Sequence, residues 1–244
     1  MEKTANKSNG FTKAMSAAGS AVAAWFPRFL SGAKESFKHM GYAFYILFHP
    51  FDGFFDLKND PKRRSVSAGV LWLIVYAVVA IIRRQTLGYL FTSRAVQLDL
   101  NVVREFLSAI LPFVLWAVAN WCFSSLMDGD GKLSDVFMAT CFATVPITLC
   151  NLVQIPLSHF LSSSEQSVFT FIGSLGLVWG YFYMFLSMIT VHQYSVGKGI
   201  WTTVLTILGM AVIVFIAILV FFLVQQVSSF FIQIGTEIIF RLNE

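Results

Sequence analysis

This sequence predicts an all-α, polytopic membrane bundle of five crossing helices, with interfacial helices before the first and after the last. Three observations carry that expectation. Of 244 residues, 57% are hydrophobic and only 12% charged, where a soluble domain carries about 25% charged residues. The mean hydropathy is +0.71, so the chain must use lipid as its solvent. Its polarity is also gathered into short turns between apolar runs long enough to cross a bilayer, which takes ~20 residues.

The stretch from 103 to 157 organises the rest. Residues 106–127 are free of charge, and a turn, Asp128-Gly129-Asp130-Gly131-Lys132-Leu133-Ser134-Asp135, follows. A second apolar run opens at Val136 and stays uncharged until Glu165. Pro146 cannot donate its backbone hydrogen bond, so this third span should kink near Phe142. The kink is expected to set the acidic turn beside residues 49–56.

In chain order, residues 1–9 are polar. Residues 11–40 place Phe11, Met15, Ala18, Val22, Phe26, Phe29, Ala33, Phe37 and Met40 at three- and four-residue steps, with Lys13, Arg28, Lys34 and Lys38 among them. That is a basic amphipathic helix for a membrane surface or a partner. A signal peptide is the rival reading, but residues 14–26 are rich in Ala, Gly and Ser and lack a strongly apolar centre. Residues 41–57 are too short to span and rich in aromatics, which suits the headgroup zone.

A basic collar at 58–64 precedes the first span, 65–82, closed by Arg83 and Arg84. A polar connection with Arg94, Asp99, Arg104 and Glu105 leads into the hairpin. The fourth span, about 168–191, carries Gly176 and Gly180, a GxxxG pair that permits close helix approach. The polar turn 192–199 leads to a fifth span ending near Leu223. Residues 225–242 mix polar and apolar positions and are expected to lie flat at the far interface. The expected domains are an N-terminal region 1–40, a membrane domain 41–227 and a tail 228–244.

Chemistry finds little footing. Cys122, Cys141 and Cys150 lie in apolar runs without metal-ligand spacing, so they read as small hydrophobes. The Asp128–Asp135 turn lacks the spacing and terminal Glu of a calcium loop. No nucleophile–base set or phosphate-cradling loop appears. The spans hold no Asp, Glu, Lys or Arg for an ion path. Asn120, Asn151, Gln154 and His159 are the polar residues at membrane depth, and interhelical hydrogen bonding is their simplest use. No catalytic residue, cofactor or metal is expected. The formal charge of +4 fits basic loops facing anionic lipid, not nucleic acid. Lys and Arg near the spans lean slightly towards a cytoplasmic N-terminal side.

Phe142-Ala143-Thr144-Val145-Pro146 resembles the aromatic-x-x-x-Pro motif of the Yip1 domain family, with Cys141 where a glycine is usual. The Gly129 and Gly131 turn, and His49-Pro50-Phe51-Asp52-Gly53-Phe54 before the first span, are similar to bacterial members; the Asp-Leu-Tyr-Gly-Pro motif of eukaryotic Golgi members is absent. The resemblance spans residues 42–227. It implies five spans, a cytoplasmic N-terminus and an outside C-terminus in a bacterial cytoplasmic membrane. It also implies a non-enzymatic adaptor or scaffold. The expected partner face is His49, Pro50, Asp52, Asp56, Asp128, Asp130 and Asp135. The expected packing residues are Phe142, Pro146, Gly176 and Gly180. Other membrane proteins or a second copy are the expected partners. The alternative reading is an accessory subunit of a membrane transporter such as a solute permease.

Overall fold

The computed structural model describes residues 39–86 and 101–242, and every element among them is helical. The amphipathic helix expected within residues 1–40, but for its last two positions, lies outside the described residues. So does the connection carrying Arg94 and Asp99. In order the helices are α1 (Tyr42–Phe48), α2 (Pro50–Asn59), α3 (Val66–Thr86), α4 (Val102–Leu126), α5 (Leu133–Ala143), α6 (Val145–Phe160), α7 (Gln166–His192) and α8 (Val196–Leu242). Among the described residues five stretches are long and apolar enough to cross a membrane: α3, α4, α5 with α6, α7 and the Val196–Ile234 part of α8.

Local chemistry explains the boundaries. Asn101 opens α4, its side chain accepting the N–H groups of Val103 and Arg104 at 3.1 and 3.2 Å, which meets donors a helix start leaves free. Glu105 in that first turn pairs with Arg84 from the end of α3. Helices α4 and α7 finish alike. Asp128 and Gln193 take left-handed conformations (φ 52° and 54°), and Gly129 and Tyr194 return their N–H groups to Ser124 and Ile189. These returning bonds satisfy carbonyls that a helix end exposes.

The third span breaks at Thr144, between α5 and α6. Pro146 stands in the first turn of α6, where its missing N–H leaves little unmet. Mid-helix the same residue costs about 3 kcal/mol or more. The Thr144 hydroxyl donates to Cys141 O at 2.7 Å. Thr140 and Thr148 donate to Val136 O and Thr144 O at 2.7 and 2.9 Å. In lipid such internal bonds matter because no water can replace them.

This broken span is the centre of the bundle. Of its apolar window 72% is buried, against 28%, 22%, 39% and 6% for the first, second, fourth and fifth spans. Segment α5 packs on α3, α4 and α7, and α6 packs on α3 and α7. Phe142 is buried among them.

One boundary needs correction. The fifth helix does not end near Leu223 but runs unbroken to Leu242 over 47 residues, about 70 Å. Residues 225–242 continue the same helix, with no turn separating them from the span. The glutamines and serines that suggested an interface sit in a sequence otherwise so apolar that helix propagation carries through them.

Candidate interaction face and the polar lock beneath it

Helices α1 and α2 form a hairpin bent at His49, where Pro50 starts the second arm. Its open end is tied by Tyr42, whose hydroxyl reaches Gly53 O at 3.2 Å and receives Arg63 at 3.1 Å. Burial pushes the Tyr42 phenol up to about 12, against the pull of the donating Arg63 guanidinium. Arg63 also pairs with Asp56.

The hairpin is docked along α7. Lys58 Nζ donates to Val191 O at 2.8 Å and the Tyr183 hydroxyl donates to Leu47 O at 2.6 Å. Phe54, fully buried, meets the Tyr183 ring edge-on at 6.2 Å. Val191 and Tyr183 are about 12 Å apart along a helix axis. The His49–Pro50 bend therefore points down α7, away from the acidic turn.

The expected single face is thus divided. Only the end of α2, at Asp56 and Lys58, lies level with the turn, while His49, Pro50 and Asp52 lie towards the far end of the hairpin. Asp135 is buried, and its carboxylate pairs with Arg64 at 2.7 Å. Asp56 is held by Arg63. Of the acidic residues in the turn, Asp128 and Asp130 are the exposed pair.

Beneath the turn lies a buried chain of hydrogen bonds. Gly131 N–H donates to His192 Nδ1 at 3.2 Å, so that nitrogen is bare and Nε2 carries the proton. Nε2 donates to Asn120 Oδ1 at 3.1 Å. Asn120 Nδ2 donates to Thr206 Oγ1 at 3.2 Å, and the Thr206 hydroxyl donates to Thr202 O at 2.7 Å. One run of donors and acceptors thereby joins the turn to spans four, two and five. Beside it, the Tyr194 hydroxyl lies 3.2 Å from both Ser124 O and Met127 O, closing the end of α4. Burial pushes the Tyr194 phenol up, with Asp128 and Asp130 adding to the shift.

The two glycines of the turn are demanded by this approach. A Cβ on Gly129 would sit 2.5 Å from the Tyr194 hydroxyl, and one on Gly131 would sit 2.6 Å from His192 Cε1. His192 and Tyr194 escape sequence reasoning. They read as part of a polar turn, and no periodicity links His192 to Asn120, 72 residues away. The paired glycines before Lys132 were the available signal of a close backbone approach.

Gly176 and Gly180 face α6. Added Cβ atoms would meet Cys150 Cβ at 2.5 Å and Ile147 Cγ1 at 2.2 Å. Cys141, where the motif usually has glycine, faces Gly69 of α3, whose own Cβ position lies 3.4 Å from Cys141 Cβ. Among the described residues no three His, Cys, Asp or Glu gather as a metal site.

The family model of the Yip1 domain matches residues 44–219 of this chain. No curated protein and no solved structure matches it.

Proposed function

This chain belongs to the Yip1 domain family, and from that premise we propose that it is a non-enzymatic integral membrane adaptor of a bacterial cytoplasmic membrane. Its acidic turn and the basic end of the hairpin form the docking surface for other membrane proteins. The observation supporting this reading is the contrast within the turn. Its backbone is locked to three spans by buried bonds, while Asp128 and Asp130 remain exposed. Such rigidity preorganises exposed charge for a partner and lowers the ordering cost of binding. Lys58, Lys62, Arg63 and Arg64 beside it supply the opposite sign, so the surface is a patterned one that favours specific partners.

The test is recovery of partners in mild detergent. Asp128→Asn with Asp130→Asn should reduce recovery while leaving insertion and melting temperature unchanged. Unaltered recovery would remove the docking role. The surface faces the cytoplasm in this reading. An impermeant thiol reagent on intact cells should label Ser163→Cys and Asn243→Cys but spare Ser134→Cys, each in a background free of native cysteines. The reverse pattern would invert the orientation.

A further inference from the structure

On the side of the bundle opposite the acidic turn, three helix faces meet at one cleft. Tyr76, Ala80 and Arg83 come from α3, Ile147, Asn151 and Gln154 from α6, and Phe169, Thr170, Gly173, Ser174 and Leu177 from α7. On α3 and α6 the spacing is i, i+4, i+7, the stripe one helix presents to one neighbour. The open cleft they line has a volume of about 410 Å³, within the range of small-molecule sites. Gln154 lies six residues before the end of α6 and Thr170 four residues after the start of α7. The cavity thus sits about 6–9 Å inside the helix ends, at the boundary of headgroup and acyl chain.

Its polar lining is short of partners. Asn151 is 8% exposed and, among the described residues, its amide makes no hydrogen bond to the protein. Gln154 gives Nε2 to Phe169 O at 2.8 Å, and its buried Oε1 has no partner. Arg83 has no ion pair among the described residues, and its Nε is buried without an acceptor. Asn120, at comparable burial on the other side, has both ends of its amide occupied. An unmet amide in an apolar setting is destabilising, and a lone guanidinium there calls for an anion.

We propose that this cleft binds an anionic phospholipid. The phosphate accepts from Arg83 and Asn151 Nδ2, a hydroxyl of the headgroup donates to Asn151 Oδ1, and the upper acyl chain lies against Ile147, Phe169 and Leu177. The lipid would complete the interface of spans one, three and four, as a structural ligand.

Purified protein in a neutral detergent tests this with phosphatidylglycerol, diacylglycerol and inorganic phosphate as separate probes. Phosphatidylglycerol should raise the melting temperature saturably, by roughly 5–10 °C at a hundredfold excess over Kd. Diacylglycerol and inorganic phosphate should leave it unmoved. Arg83→Gln should abolish the shift. Asn151→Leu should also abolish it, yet melt above the wild type without lipid because the orphaned amide is gone. A photoactivatable phosphatidylglycerol on wild-type protein, bearing its label near the glycerol, should attach within residues 147–154 or 169–177. That measurement decides the matter if Arg83→Gln cannot be purified folded. The absence of a saturable shift, an equal shift with diacylglycerol, or an undiminished shift in Arg83→Gln would overturn the proposal. So would labelling confined to other segments, and a full shift from inorganic phosphate alone would exclude a lipid as the occupant.

Discussion

From Val136 to Phe160 and from Ile200 to Ile234 the third and fifth spans carry no Asp, Glu, Lys or Arg, yet they occupy opposite places. The third has a mean hydropathy of 1.9 and its apolar window is 72% buried; the fifth reaches 3.3 and its window is 6% buried. The more apolar helix is the more exposed one. In water that order would be reversed, because burial of apolar area drives soluble folding. Lipid is as apolar as leucine, so a side chain gains little by leaving it. The interior is instead where polar groups must be placed and satisfied. Hence the third span holds Pro146 and Pro156, the threonine hydroxyls that meet the broken backbone, and the amides of Asn151 and Gln154, while Val212, Phe215, Leu219 and Val220 of the fifth face outwards.

Substitutions should follow the same contrast. The largest loss is expected from Gly180→Leu, which drives a branched side chain into Ile147. Overpacking of this kind costs about 3 kcal/mol or more, a fall in detergent melting temperature of roughly 6–12 °C. An unchanged melting temperature would place α7 further from α6 than the contact requires. Next comes Asn120→Leu, which strands both the His192 Nε2 proton and the Thr206 acceptor. About 2 kcal/mol is expected, read in the same melting experiment, with the loss absent from Asn151→Leu.

Thr144→Val is a finer probe of the break itself. It keeps the shape and removes one hydroxyl donor from Cys141 O, for about 1 kcal/mol. Leu219→Ala in the fifth span should fall below about 0.5 kcal/mol, as surface changes do. A loss from Leu219→Ala as large as that from Thr144→Val would mean the outer face of α8 is packed and not lipid-facing.

Much of this architecture was legible in the chain because lipid imposes length and polarity rules on each span separately. The five runs, the glycine pair on α7 and a break just ahead of Pro146 all follow from local composition. What escaped depended on distant contacts. The hairpin could be read as two short aromatic pieces around Pro50, but its docking rests on Lys58 with Val191 and Leu47 with Tyr183, 133 and 136 residues apart. That docking turns His49 and Asp52 away from the turn they were expected to join. Asp135 looked like its neighbours Asp128 and Asp130 until Arg64 was found against it. Nor could sequence separate Asn120, bonded at both ends, from Asn151, bonded at neither. The polarity of Gln225, Gln226, Ser228 and Ser229 suggested a separate interfacial piece, but the helix runs through them without a turn.

The native cysteines offer the most direct test of the central claim, that the third span is the buried axis and the fifth its lipid-facing margin. Cys122 on α4 is exposed, and Cys141 and Cys150 in the third span are buried. Four proteins would each carry one thiol: Cys122, Cys141, Cys150, or Val220→Cys on the fifth span, with the other cysteines replaced by alanine. Reaction with a membrane-soluble maleimide in liposomes would be followed over time. Cys122 and Val220→Cys should react at similar rates, and Cys141 and Cys150 at least about tenfold more slowly, since they require local opening. Cys141 and Cys150 reacting as fast as Val220→Cys would contradict the account.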